Sequence, residues 1–258
     1  KTDTLEKVSE DENAKLRTTG GNYYAVTEND STTVYDGTGT QMMTVPYTSI
    51  NTSVLDTQGY AVVSKESEKV LSWRSTLENI VSKDGTLWNN TDWNEKGADG
   101  VSMSVVNAEK KIYSVSADYA KQTGTSSSGR PQYTYVYENY LYSADGNLSM
   151  DIEAEIQKLG TESSYGNISG QYYSFGDNLV ISVYDLDNRN TGAIFAYTES
   201  DNYQNGKKLQ GNDSTVNNTE KYMLTADRTY TSDTGKDSDY KLAALYNEQL
   251  ESISLQSE

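Results

Sequence analysis

Four groups of side chains in this 258-residue chain have types and spacings that could do chemistry. The carboxylates Asp151, Glu153 and Glu155 recur at alternate positions, and on one face of a strand they would stand roughly 6 to 7 Å apart, near the separation glycosidases use. Three acids on one open sheet face would repel one another, so the pattern equally describes a wet sheet surface. Trp88 and Trp93 lie in DGTLWNNTDWNEKGADG, residues 84–100. Exposed indoles beside Asn and Asp could stack on sugar C–H faces while amides and carboxylates take the hydroxyls. The other reading has both rings closing a core beneath a long loop. Asp185, Asp187, Asn188 and Asn190 offer hard oxygen ligands that could hold Ca²⁺, although Arg189 and a late Gly192 break the EF-hand order, and Asp and Asn also favour turns. Tyr133, Tyr135 and Tyr137, at every second position, could offer a ligand a row of amphipathic rings.

Composition removes several other chemistries. The sequence holds no His and no Cys, which excludes Ser-His-Asp and Cys-His catalysis, the usual zinc sites and any disulfide framework. Formal net charge is −17, from 38 acidic and 21 basic residues, so nucleic-acid binding through clustered cations is not expected. No Gly-rich phosphate loop precedes a helix. These features point to a non-catalytic protein with no cofactor other than the Ca²⁺ just considered.

The elements that must position these groups read as strands. PQYTYVYENYLYSADGNLSMDIEAEI, residues 131–156, carries two alternating runs around Asp145-Gly146-Asn147, which predicts a β-hairpin with its second strand over 148–156. Tyr23 to Glu28, Thr32 to Tyr35 and Met42 to Tyr47 predict a meander, with Pro46 marking an edge or an end. Further strands are expected over 60–63, 101–106, 111–116, 171–174, 179–184 and 192–197, then a polar loop over 198–219 and a hairpin over 221–231. Two stretches read as helices. Val70, Trp73, Leu77, Ile80 and Val81 predict one over 66–82; Leu242, Leu245, Tyr246, Leu250 and Ile253 predict another over 239–254.

Residues 1–21, charged and ending in Gly20-Gly21, read as a flexible tether, such as follows a cleaved export or lipoprotein signal. Residues 22–258 read as a single β-rich domain with a boundary candidate in the connector GTSSSGRP, 124–131. No apolar run is long enough to span a membrane. Hydrophobic content is 34%, and the aromatic share rests on 22 Tyr against 2 Phe. Such a core favours sheets with one wet face. An acidic, Asn/Ser/Thr-rich surface fits an exported bacterial protein that stays monomeric.

The strand starts recur about every 40 residues, a spacing found in propeller blades or a meandering sheet. YAVTENDSTTVYDGTGTQMMTVPYTSI (24–50) and FGDNLVISVYDLDNRNTGAIFAY (175–197) resemble the repeats of bacterial WG-type and other propeller-like surface proteins, without the Trp-Gly dipeptide itself. That resemblance implies an all-β fold and a binding or scaffold role at the cell surface, with glycan or protein as ligand. One curved half-barrel sheet with helices in its concave face, similar to lipoprotein-carrier proteins, is the competing architecture and implies an apolar ligand. A glycan-active hydrolase using paired carboxylates is the competing activity.

Overall fold

The structure, a computed structural model, describes residues 13–69, 76–158, 168–186, 192–212, 221–230 and 238–253. The fold is all-β and mainly antiparallel, its strands shared among four meandering sheets, with three short helices. By contact the chain divides into two compact units. The first runs to Val136 and takes Ser143–Asp145; the second takes Tyr137–Tyr142 and continues from Gly146. The division falls inside the strand Pro131–Ser143.

In the first unit, Lys15–Thr18 (β1), Tyr24–Glu28 (β2), Ser31–Tyr35 (β3) and Gln41–Val45 (β4) pair in chain order. Asn29 and Asp30 join β2 to β3 with φ of 47° and 59°, the two left-handed residues that a two-residue hairpin turn requires. The tether expected over 1–21 is corrected by β1, whose four residues pair with β2 from Lys15↔Thr27 to Thr18↔Tyr24. Residues 1–12 lie outside the described residues.

The second sheet of this unit is built from Ser49–Asn51 (β5), Tyr60–Glu66 (β6), Thr76–Ser82 (β7), Gly100–Asn107 (β8), Ile112–Thr125 (β9) and Pro131–Ser143 (β10), in the order β10-β9-β8-β7-β6-β5. Short helices Leu55–Gln58 (α1) and Trp93–Lys96 (α2) sit in its connections. The helix expected over 66–82 does not form where that stretch is described; β7 pairs with β6 from Tyr60↔Ser82 to Glu66↔Thr76, and lies parallel to β8 at Leu77↔Val101. Leu77, Ile80 and Val81 are all buried, because a central strand covered on both faces loses its alternation and its apolar run imitates helical spacing. GTSSSGRP is likewise a turn rather than a connector: Ser126 donates its N–H to Arg130 O and accepts that of Gly129, closing β9 onto β10. One core gathers Ala25, Val34 and Val45 of the first sheet with Ile50, Val63 and Val81 of the second.

In the second unit, Tyr140–Tyr142 of β10 pair with Ser149–Asp151 (β11), so the expected hairpin exists around Asp145-Gly146, but its second strand stops early. Ile152–Lys158 is a helix (α3) that buries Ile152 and Ile156, an i,i+4 pair hidden within the period-two run. Ile168–Phe175 (β12), Asn178–Asp185 (β13), Gly192–Thr198 (β14) and Lys207–Lys208 (β15) pair in order, as do Tyr222–Tyr230 (β16), Ser238–Asn247 (β17) and Ser252–Ile253 (β18). β15, with buried Leu209 after it, lies within the stretch expected to be polar loop. The hairpin expected over 221–231 is instead the single strand β16, and the helix expected over 239–254 is β17 and β18. A bulge at Thr225/Ala226 adds one residue to β17, which shifts its apolar positions out of strict alternation and gives them the look of a helical face. Phe175, Val180, Ile194, Met223 and Tyr246 meet in this unit's core. Among the described residues the strands form four sheets rather than the single curved sheet of the competing architecture.

Candidate functional site

Trp88 and Trp93 are 5% and 4% exposed, so neither indole presents an open face for sugar stacking. Their loop is held from within by Asn79 on β7. Its Nδ2 donates to Asn89 O at 2.7 Å and Tyr47 Oη at 2.9 Å, while its Oδ1 accepts from the backbone of Ile80 and Asn89. Asn89 Nδ2 reaches Tyr113 Oη at 3.2 Å, and that hydroxyl donates to Trp88 O at 2.8 Å. Trp88 Nε1 donates to Ser82 Oγ at 2.8 Å, with its ring tilted between Tyr60 and Tyr113. The loop is anchored from within by Asn79, Asn89, Tyr113 and Trp88 and closed by its own turn bonds, Thr91 N donating to Asn89 Oδ1 and Ala98 N to Trp93 O, while the buried Trp93 Nε1 makes no hydrogen bond among the described residues. Trp93 begins α2, capped by Asp92, which accepts from Glu95 N, and ended by Gly97 at φ 81°.

Tyr133, Tyr135 and Tyr137 stand on β10 as expected, half-buried and alternating with exposed residues through Val136. Tyr140 and Tyr142 farther along the strand stack at 5.7 Å. Asp151, Glu153 and Glu155 do not share a strand face, because α3 begins after Asp151. Where β11 ends, Glu153 takes over its ladder: its carboxylate accepts from Asn139 N at 3.3 Å and Asn139 Nδ2 at 2.9 Å. Burial pushes the Glu153 carboxyl above the usual range. Burial also raises Tyr172, with the Glu153 charge adding to it. Tyr197 is raised by burial and by Glu155, toward which its hydroxyl points at 3.4 Å. Both Glu153 oxygens accept from Asn139 and the Tyr197 hydroxyl is turned to Glu155, while the buried Tyr172 hydroxyl has no hydrogen-bond partner among the described residues. Asp185 is buried at the end of β13; Asp187, Asn188 and Asn190 lie outside the described residues, and among those described no three acidic residues gather as a metal site.

One feature with room for a ligand is a polar groove of about 970 Å³ in the first unit. One wall is β1, whose Lys15 and Arg17 project on the same face as their β2 partners Thr27 and Ala25. The turn from Glu28 to Ser31 closes one end. Lys65 and Glu66 at the end of β6, and Glu68 just beyond it, also line the groove. Two lining residues are held by hydroxyl contacts: Thr27 Oγ1 lies 2.9 Å from the buried Thr32 Oγ1, which donates to Tyr47 O at 2.6 Å, and Thr48 Oγ1 reaches Ser64 O at 3.4 Å. Lys65 Nζ lies over the Tyr47 ring at 5.6 Å, and that ring is fixed by Asn79. The Asn79 network therefore positions a groove cation as well as the Trp88 loop. Lys15 and Arg17 have no side-chain partner among the described residues. Sequence reasoning missed this site because both cations fall in the stretch read as a tether. The available signal was the alternation Lys15-Leu16-Arg17-Thr18 just before a glycine turn.

No family model and no curated protein matches the sequence. A crystal structure described as that of the eukaryotic initiation factor is similar at 10% identity and a TM-score of 0.32, with 95% of this chain and 66% of that one covered. A structure of the Dos1 propeller is similar at 10% identity and a TM-score of 0.29, with 88% and 52% covered. At these values the likeness assigns neither fold nor function. This chain spans less than two thirds of either protein.

Proposed function

We propose that this chain is a non-catalytic binding or scaffold module, exported and displayed at a bacterial surface, whose ligand is a glycan or a protein. The observation that carries the reading is the groove: its lining residues Thr27 and Thr48 are held by hydroxyl contacts, and two of its cations, Lys15 and Arg17, have no side-chain partner among the described residues. The Cys-free, acidic, hydroxyl-rich composition supports an exported setting. The half-exposed tyrosines Tyr133, Tyr135 and Tyr137 supply a second contact surface of the amphipathic kind that interfaces favour.

The test is amide NMR of the isotope-labelled chain, titrated with a panel of neutral glycans, acidic oligosaccharides and peptides. Shifts confined to residues 13–17, 27–31 and 65–68, or to 133–137, are expected. A panel that moves none of them removes the reading. Turnover of chromogenic glycosides by the same sample would replace it with the hydrolase.

A further inference from the structure

We infer that the groove of the first unit takes an extended peptide, laid along β1, with acidic side chains at alternate positions facing Lys15 and Arg17 and a basic side chain facing Glu66 and Glu68. This deepens the binding reading above and rests on it. Three observations converge on a peptide rather than a sugar chain.

The first is spacing. Lys15 and Arg17 stand two residues apart on one strand face, roughly 7 Å by strand rise, which is also the repeat of alternate side chains in an extended peptide. The second is the character of the lining. It offers cations, carboxylates, amides and hydroxyls, and the aromatic ring nearest it, Tyr47, lies under Lys65, so no bare ring is left for a pyranose face to stack on. The third is the edge. β1 is the outermost strand of its sheet, so one side of its backbone has no ladder among the described residues, and an added strand would find donors and acceptors there.

The charges act as a selector at that edge. Inward-pointing Lys and Arg normally discourage an open edge from pairing with arbitrary strands, because an incoming apolar side chain would strip their water without replacing it. A peptide bringing carboxylates at the same two-residue interval satisfies them instead. The acidic pair, Glu66 and Glu68, sets the other requirement. A peptide with both signs, near neutral overall, escapes the repulsion that the −17 field imposes on a polyanion.

The experiment uses the full chain and three synthetic probes in isothermal titration: an eight-residue peptide with two Glu two residues apart and two Lys at its far end, the same peptide N-methylated at every second residue, and an oligogalacturonate. The chain carrying Lys15→Glu and Arg17→Glu is compared, with its circular dichroism and melting curve confirming an intact fold. Both substituted side chains are exposed, and Leu16→Ala, on the other face of β1, serves as the control that leaves binding in place. The peptide is expected to bind the native chain, with a loss of about tenfold or more on double charge reversal and a similar loss on N-methylation of the ladder side. Equal binding of the methylated peptide, or binding unchanged by the charge reversal, overturns the proposal. If oligogalacturonate alone binds and is lost in the double variant, the peptide is wrong while the binding module stands; if no probe binds, both fall.

Discussion

Two buried asparagines hold the two units, and they do it with different chemistry. Asn79, 2% exposed in the first unit, is surrounded by neutral partners: backbone groups of Ile80 and Asn89 and the Tyr47 hydroxyl. Asn139, 5% exposed in the second, gives its side chain to a carboxylate, Glu153, and to Ile168 O at 3.2 Å. A neutral network keeps its strength at any pH at which the chain folds. A network ending on a half-buried acid carries the proton equilibrium of that acid with it. The difference teaches that the rigid support beneath the groove is insulated from pH, whereas the junction of β10 with α3 is not.

The comparison is broken or sharpened by four measurements. Asn79→Ala removes four hydrogen bonds at once and strands the Ile80 and Asn89 N–H groups, so it is expected to cost about 3 to 4 kcal/mol in urea denaturation followed by indole fluorescence. Asn139→Ala keeps Glu153 solvated on one side and is expected to cost about 2 kcal/mol; a larger loss than that of Asn79→Ala would reverse the ranking. Ser82→Ala leaves the Trp88 indole N–H without its acceptor and is expected to cost about 1 kcal/mol, with a shifted Trp88 emission. Glu153→Gln has the smallest effect at any one pH and the clearest signature across pH. The folded carboxyl is raised above its unfolded value, so the native state binds more protons in that window and stability falls as pH rises through it. The glutamine variant lacks this slope, and its stability relative to the native chain should therefore climb from the ordinary glutamate range upward. A difference that stays flat with pH would show that Asn139 is held no differently from Asn79.

Much of the fold was legible because sheet surfaces announce themselves. Tyr133 to Tyr137, the Asn29-Asp30 turn and the strands around Leu179 and Ala193 follow from alternation and turn chemistry alone. The failures share one cause, which is interruption of period two. β7 is buried on both faces, β17 carries an extra residue at its bulge, and Ile152 to Ile156 satisfies strand and helix spacing alike. The site was less legible. Trp88 and Trp93 drew attention as rings near amides, but those amides turn inward to the backbone rather than outward to a ligand. Lys15 and Arg17 went unread because a charged, Gly-ended stretch looks the same whether or not a neighbouring strand recruits it.

Asn212 bears on how the edge of β16 is covered. Its backbone N–H reaches Ala226 O at 3.0 Å, its Nδ2 donates to Arg228 O at 3.0 Å, and its Oδ1 accepts from Arg228 N at 2.6 Å. One side chain thus impersonates a stretch of neighbouring main chain, plugging the flank of β16 where a stranger's strand would otherwise dock. A Cβ on Gly192 would come within 2.3 Å of the Asn212 carbonyl, so the stopper is seated by the absence of a methyl group elsewhere. Dislodging it is expected to open the β16 edge to an added strand, which sedimentation of an Asn212→Ala chain would read as self-association.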